Sequence, residues 1–272
     1  MSRITLICSV FAVLIVPQVA SGQGLLFKVP EPGAWVRYEG TVQQWDSLPD
    51  PETGEMKRPE KPIAWQRHLH LKCVGQETAK FRGSDVDCRW IEIKVITGVR
   101  SELGPDPGDV GSRVYKVLVP SVILDGKGRD PRNVPVDFIP IIKGYKRIAG
   151  GEVTPIRSKA LRIYPLISLL GHYRDAKVLA ANGNVGIPAA NSGTHYSGEL
   201  NLERNRSQAQ NAATYWVSKE IPFGIAKWEV TVTRKSKDIT DPRSSFQETS
   251  QIKVQMQAQE VRTDAETEID DK

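Results

Sequence analysis

The sequence lacks the short motifs that mark several common enzyme classes. No G-x-S-x-G, H-E-x-x-H, G-x-G-x-x-G or phosphate-loop motif occurs in the 272 residues. The segment Gly126-Lys127-Gly128 comes nearest to a phosphate loop. It lacks the earlier glycine and the Ser/Thr after the lysine, so we interpret it as a turn. A Ser/His/Asp triad is assembled in space and leaves no such motif, so a secreted hydrolase stays open as an alternative.

Long hydrophobic runs are also scarce, and the clearest one lies at the N-terminus. Ile4–Val16 is a largely apolar stretch of 13 residues that follows Arg3 and precedes the small residues Ala20-Ser21-Gly22. This pattern predicts a signal peptide at 1–22, cleaved near Gly22/Gln23, with an uncleaved anchor as the alternative. No later run is apolar enough to cross a membrane. We therefore expect an exported protein, periplasmic or extracellular, with no transmembrane segment in the mature chain.

Cysteine is rare, with three in the whole chain. Cys8 would leave with the signal peptide, so the mature chain keeps Cys73 and Cys88. An exported protein meets an oxidising compartment, where two remaining thiols tend to pair. Because Cys73 ends one predicted strand and Cys88 begins the next, we predict a disulfide between them. The alternative is two buried free thiols.

Runs of alternating apolar and polar residues are abundant and predict strands. In the run 65–74, one face carries Trp65, Arg67, Leu69, Leu71 and Cys73, and the other carries Gln66, His68, His70 and Lys72. The best helix candidate lies near 156–172, interrupted by Pro165. The pattern predicts an α+β, β-rich fold: a curved antiparallel sheet or incomplete barrel with a short helical segment near 156–172.

The chain divides into four predicted parts. A linker at 23–33 follows the signal peptide, and a single β-rich domain spans 34–261. The remaining residues, 262–272, are predicted to form an acidic disordered tail.

The densest aromatic cluster lies in Tyr215–Val232, where two strand-like runs meet at a Pro-Phe-Gly turn, Ile221–Gly224. Aromatic residues on strands usually pack in a core. They can also form the wall of a ligand pocket, and on that interpretation Trp216, Phe223 and Trp228 are the candidate ligand-binding residues.

His68 and His70 are weak candidates for a metal site, because two histidines two residues apart share one strand face. Nothing nearby in the sequence supplies a third ligand. We predict no metal and no other cofactor.

Positive charge is concentrated in the middle of the chain. Residues 113–177 contain 13 Lys/Arg and 5 Asp/Glu, a net of +8, whereas residues 260–272 contain 2 and 6, a net of −4. The basic segment could bind anionic lipid head groups, acidic polysaccharide or an acidic protein partner, or it could simply be solvated. Export and the position of the aromatic residues argue against nucleic acid.

Two blocks carry a resemblance to known proteins. Cys88–Lys94 has the sequence C-R-W-I-E-I-K, and the downstream block reads Y-W-V-S-K-E-I-P-F-G-I-A-K-W-E-V. Together they resemble a pattern in uncharacterised exported bacterial proteins. The Pro-Phe-Gly turn is also distantly similar to the periplasmic lipoprotein-carrier half-barrels. This resemblance implies a curved antiparallel sheet with a helical lid over an apolar cavity.

Taken together, these features predict a non-enzymatic binding module for a lipid or other amphipathic ligand. The alternatives are a secreted hydrolase with a spatially assembled site and an envelope interaction protein that uses the basic surface at 113–177.

Overall fold

A computed structural model describes residues 26–124, 139–161, 167–173 and 175–270. The predicted signal peptide, its cleavage site and residues 125–138 of the basic segment lie outside this range. The described residues form one short α-helix and fourteen strands. Helix α1 is Ser121–Leu124. The strands are β1 Trp35–Asp46, β2 Leu48–Pro49, β3 Met56–Lys57, β4 Ile63–Phe81, β5 Ser84–Ser101, β6 Gly104–Asp106, β7 Arg113–Pro120, β8 Lys143–Ile148, β9 Thr154–Pro155, β10 Lys177–Ile187, β11 Ala190–Glu203, β12 Ser207–Val217, β13 Ile225–Ser236 and β14 Gln247–Arg262.

Twelve of these strands form one antiparallel sheet, which confirms the β-rich prediction. Its order is β10-β11-β12-β13-β14-β1-β4-β5-β7-β8-β9, and β6 pairs with β5. The first strand, β1, lies between β14 and β4, so residues from both ends of the chain meet near the middle of the sheet. The sheet is not closed, because β10 and β9 lie at its opposite edges. No helix among the described residues is long and apolar enough to span a membrane.

The two faces of the sheet differ sharply in chemistry. The core face carries fully buried apolar side chains such as Val36, Leu69 and Ile91. Segments that pack on this face supply further buried residues, namely Leu26, Ile123, Leu124, Ile139, Ile141, Leu161, Ile167, Leu170 and Tyr173. The polar face carries the alternate residues of the same strands, including His68 and Lys72. The predicted alternation in β4 is therefore present in the structure.

The predicted aromatic hairpin forms as β12 and β13. Val217 pairs with Ile225 across the turn, and Gly224 has a φ of 91°, a conformation that favours glycine. Strand β12 begins at Ser207, and its first residues are mostly polar. Pairing with β11 and β13 on both sides satisfies the backbone of this polar stretch.

The predicted helix near 156–172 does not form in most of the described residues of that region. Residues 154–155 form strand β9, and the backbone of described residues 156–161 forms hydrogen bonds with the chain at 139–144. The Ile156 amide donates to Gly144, and the Leu161 amide donates to Ile139. Only Ile167 and Ser168 have helical geometry in the part of this region that the structure describes, and residues 162–166 lie outside it. Prolines and long-range pairing with strand β8 outweigh the weak helical periodicity.

The predicted Cys73–Cys88 disulfide is wrong. Strands β4 and β5 run on to a two-residue turn, Arg82-Gly83, so Cys73 pairs with Ile91 and Cys88 pairs with Glu77. The thiols lie roughly 10 Å apart along the strands, whereas a disulfide needs Cα atoms within about 7 Å. Cys73 packs in the core, and Cys88 packs with Trp90 on the opposite face. Both are buried free thiols, and burial raises the pKa of Cys73 to about 11.

Both ends of the predicted domain extend further than the sequence pattern indicated. Leu26 is buried and forms a β-bridge with Gly224, within the predicted linker. Residues 263–270, predicted to be disordered, lie along the polar face, and Ile269 is fully buried there. Residues 271–272 lie outside the described range.

Candidate functional site

The three aromatic residues predicted to bind ligand do not come together. Phe223 is fully buried in the core. Trp228 is also in the core, where its indole N–H donates to the Ser168 carbonyl at 3.0 Å and its ring meets Tyr38 edge-on at 5.1 Å. Trp216 lies on the polar face, stacked on His195 with a centroid distance of 4.6 Å. Phe223 and Trp228 therefore pack in the core, whereas Trp216 lies at a groove on the polar face, to whose lining Trp228 also contributes.

This polar groove has a volume of about 570 Å³ and crosses the polar face from β11 to β4. Residues that line the groove are neighbours on adjacent strands: Trp216 pairs with Lys227, Lys227 with Gln257 and Gln257 with Glu39. Most side chains in the groove are hydrogen-bonding groups. They are His68, His195, Lys227, Glu39, Glu229, Gln66, Gln255, Gln257 and Gln259, with Thr41 and Thr214.

The charged groups of the polar groove are held by partners in the protein. Glu39 pairs with Arg37, and Glu229 pairs with Lys253 at 2.7 Å. Burial alone would raise the pKa of Glu229, but hydrogen bonds from Lys253 and Gln255 lower it overall. The groove thus holds an ionised carboxylate rather than the raised-pKa acid that proton donation at neutral pH requires.

The surroundings of the two histidines in the groove favour the neutral imidazole. Burial lowers the pKa of His68, with a further contribution from Arg37, and burial together with Lys227 lowers that of His195. Both rings are therefore mostly neutral at pH 7. The groove can donate and accept hydrogen bonds, but its described residues do not pair a raised-pKa acid with a free base.

The weak metal candidates His68 and His70 lie on the polar face, but their described neighbours do not form a metal site with them. His70 stacks on Trp35, with ring centroids 6.1 Å apart. His68 lies 3.8 Å from Glu39. No cluster of three or more His, Cys, Asp or Glu side chains suited to a metal ion occurs among the described residues.

A second cavity lies on the core face and contains a partly buried cation. It has a volume of about 250 Å³ and sits where β14, β1 and β4 pass beneath Leu169. Its walls are mainly apolar, formed by Val42, Trp65, Leu169, Ile252 and Val254, with Arg67, Gln44 and Thr97. We call this cavity the Arg67 cleft.

Arg67 is held in place by neutral groups. Its Nε donates to the Thr97 hydroxyl at 2.9 Å, and Nη1 donates to the Ile167 carbonyl at 2.5 Å. Burial, together with the positive charge of Arg113, lowers the pKa of Arg67 to about 10, so the guanidinium stays charged at neutral pH. No carboxylate of the described residues forms an ion pair with it.

Arg67 is therefore a partly buried cation that is held by neutral groups in a mainly apolar cleft and has no carboxylate partner among the described residues. The sequence did contain a signal for this residue. The alternation of β4 puts Arg67 on the same face as Trp65, Leu69 and Leu71, which is the wrong face for a solvated charge. The ligand site had instead been predicted at the aromatic cluster.

No model of a known protein family matches the chain, and a search of curated proteins finds no match either. The geometry of the two cavities therefore carries the functional argument.

Proposed function

We propose that this is an exported, non-enzymatic binding protein whose ligand is an amphipathic anion. The apolar part of the ligand occupies the Arg67 cleft, and its acidic group pairs with the Arg67 guanidinium. The single observation that carries this proposal is the charged Arg67 side chain, partly buried among apolar residues and without a carboxylate partner in the described structure.

The shape of the cleft supports a ligand with an apolar tail. Val42, Ile252 and Val254 form its floor on the sheet, and Leu169 covers part of it from the segment 167–173. A hydrocarbon chain that replaces water between these surfaces gains about 25 cal/mol for each Å² of apolar area buried. A fatty acid or another single-chain acidic lipid combines such a tail with one anionic group.

The resemblance to periplasmic lipoprotein-carrier half-barrels is consistent with this choice, because it implies an apolar cavity on one face of an open sheet. The polar groove gives less support to the hydrolase alternative. Its carboxylate Glu229 is ion-paired and its histidines are mostly neutral, a set that suits hydrogen bonding rather than acid–base chemistry.

The proposal is tested with decanoate and decan-1-ol, which share a chain length and differ in charge. Isothermal titration calorimetry measures both ligands on the wild type, on Arg67→Gln and on Arg37→Gln. Arg37 serves as the control because it lies on the polar face of β1, paired with Glu260. A hydrogen bond to a charged group contributes about 1.5–3 kcal/mol, so we expect Arg67→Gln to weaken decanoate by about tenfold or more.

The same substitution should leave decan-1-ol within about twofold, and Arg37→Gln should change neither ligand. Equal weakening of both ligands by Arg67→Gln would indicate lost packing rather than lost charge recognition. That result, or no decanoate binding by the wild type, would refute the proposal.

A further inference from the structure

The C-terminal strap, residues 263–270, crosses the polar face of β1, β4, β5 and β7. It does so without forming a strand. Its backbone is attached near β1, where the Ala265 amide donates to the Gly33 carbonyl at 2.8 Å. The Trp35 indole N–H donates to the Asp264 carboxylate at 2.7 Å. Beyond these contacts the strap is held mainly by side chains of the sheet.

The surface beneath the strap is a cationic trench made of Lys72, Lys94, Lys116 and Arg147 around the buried carboxylate of Glu92. Glu268 of the strap meets three of these cations, with distances of 2.7 Å to Lys72, 2.9 Å to Lys94 and 3.9 Å to Arg147. Three cations on one carboxylate form a site selective for an acidic side chain.

The trench also recognises the residues on each side of Glu268. The Glu92 carboxylate accepts from the Thr267 hydroxyl at 3.0 Å and from the Glu268 amide at 2.9 Å. Lys116 donates to the Ile269 carbonyl at 2.9 Å, and the Ile269 side chain is fully buried. The site thus matches a hydroxyl residue, an acidic residue and an apolar residue in succession.

We propose that the cationic trench is a recognition site for an extended acidic segment of a partner protein, and that the chain's own strap is the ligand it holds in the partner's absence. The segment it fits has the pattern Thr-Glu-Ile, with further acidic residues on either side. A partner segment of this kind replaces the strap, contact for contact.

The strap is suited to replacement, because its attachment relies on charge pairs and a few hydrogen bonds instead of a β-ladder. A tethered segment competes at an effective concentration on the order of millimolar. A free peptide therefore binds the intact chain weakly, and it binds well only where the strap has been weakened.

The test uses the full chain and a fluorescent peptide with the sequence of residues 263–270, T-D-A-E-T-E-I-D. In the variant Glu268→Lys the strap is repelled by Lys72, Lys94 and Arg147, which leaves the trench open. We expect fluorescence anisotropy to show at least tenfold tighter peptide binding to this variant than to the wild type. Adding Lys94→Gln should reverse the gain, whereas Lys253→Gln, on β14 outside the trench, should not. A scrambled peptide of the same composition should bind at least tenfold more weakly.

If Glu268→Lys fails to fold, the milder variant Glu268→Gln is used instead. Its strap is then examined by hydrogen exchange. We expect the amides of Ala265 and Glu268 to exchange faster in the variant, while those of β4 and β5 keep the wild-type rate. The proposal is overturned if the released trench does not bind the peptide. It is also overturned if the strap amides exchange only as fast as those of β4 and β5, because the strap would then open only with the whole sheet.

Discussion

Two cations on the same strand, Arg67 and Lys72, have opposite surroundings. Arg67 points to the core face and has only neutral partners among the described residues. Lys72 points to the polar face and lies between two carboxylates, 3.2 Å from Glu92 and 2.7 Å from Glu268. Burial alone would lower the pKa of Lys72, but these carboxylates raise it overall, whereas burial lowers that of Arg67.

This difference separates a charge that carboxylates of the chain compensate from one that has no carboxylate partner among the described residues. Lys72 is compensated within the chain, so its role is to hold the C-terminal strap. The charge of Arg67 lacks such compensation in the described structure, and the ligand that we propose would supply it.

The largest expected effect comes from removing the buried partner of Lys72. Glu92→Ala removes the buried acceptor of the Thr267 hydroxyl and the Glu268 amide, and it leaves the ammonium of Lys72 with Glu268 as its carboxylate. Breaking a buried pair in this way costs about 3 kcal/mol, and we expect urea denaturation to show that loss in the free energy of unfolding. Glu229→Ala removes a more exposed pair with Lys253 and should cost less than about 1 kcal/mol. Equal losses in the two variants would contradict the contrast between buried and exposed pairs.

The next effect concerns His70, which shares the polar face with Lys72. Burial, with Lys94, Lys72 and Arg37, lowers its pKa to about 4, although Glu268 acts in the opposite direction. The unfolded imidazole binds its proton near pH 6.5, so between these values the unfolded state holds more protons. Stability should therefore fall as the pH drops from about 6.5 to 4, by about 3 kcal/mol at most.

The measurement is urea denaturation at several pH values for the wild type and His70→Gln. The variant should lose less stability over this range, and the carboxylates common to both proteins cancel in the comparison. An imidazole signal of His70 that titrates near pH 6.5 by NMR would contradict the prediction.

The smallest expected effect on stability comes from replacing Arg67. Arg67→Met keeps an unbranched side chain, shorter than that of arginine, and removes the charge from the apolar cleft. Replacing buried ionic groups by apolar ones is often neutral or stabilising, so we expect a gain of about 1 kcal/mol in thermal or urea denaturation, together with loss of decanoate selectivity. A clear loss of stability would indicate that Arg67 is needed for packing.

The faces of the strands and the β12–β13 turn could be predicted from the sequence alone. Alternation in the strands fixed which residues of β4 share a face, including the position of Arg67 among apolar neighbours. The Pro-Phe-Gly turn fixed the β12–β13 hairpin, because Gly224 adopts a positive φ. These signals are local, since each depends on residues within a few positions of one another.

The tertiary structure decided the features that depend on register and on distant contacts. Strands β4 and β5 run past both cysteines to the turn at Arg82-Gly83, and this register separates the thiols that the sequence had paired. The strap docks because Glu268 meets Lys94 174 positions away, and Arg67 reaches Ile167 100 positions away. A shift of one residue in register would turn every side chain of a strand to the other face, so these contacts are set by the assembled sheet rather than by any local pattern.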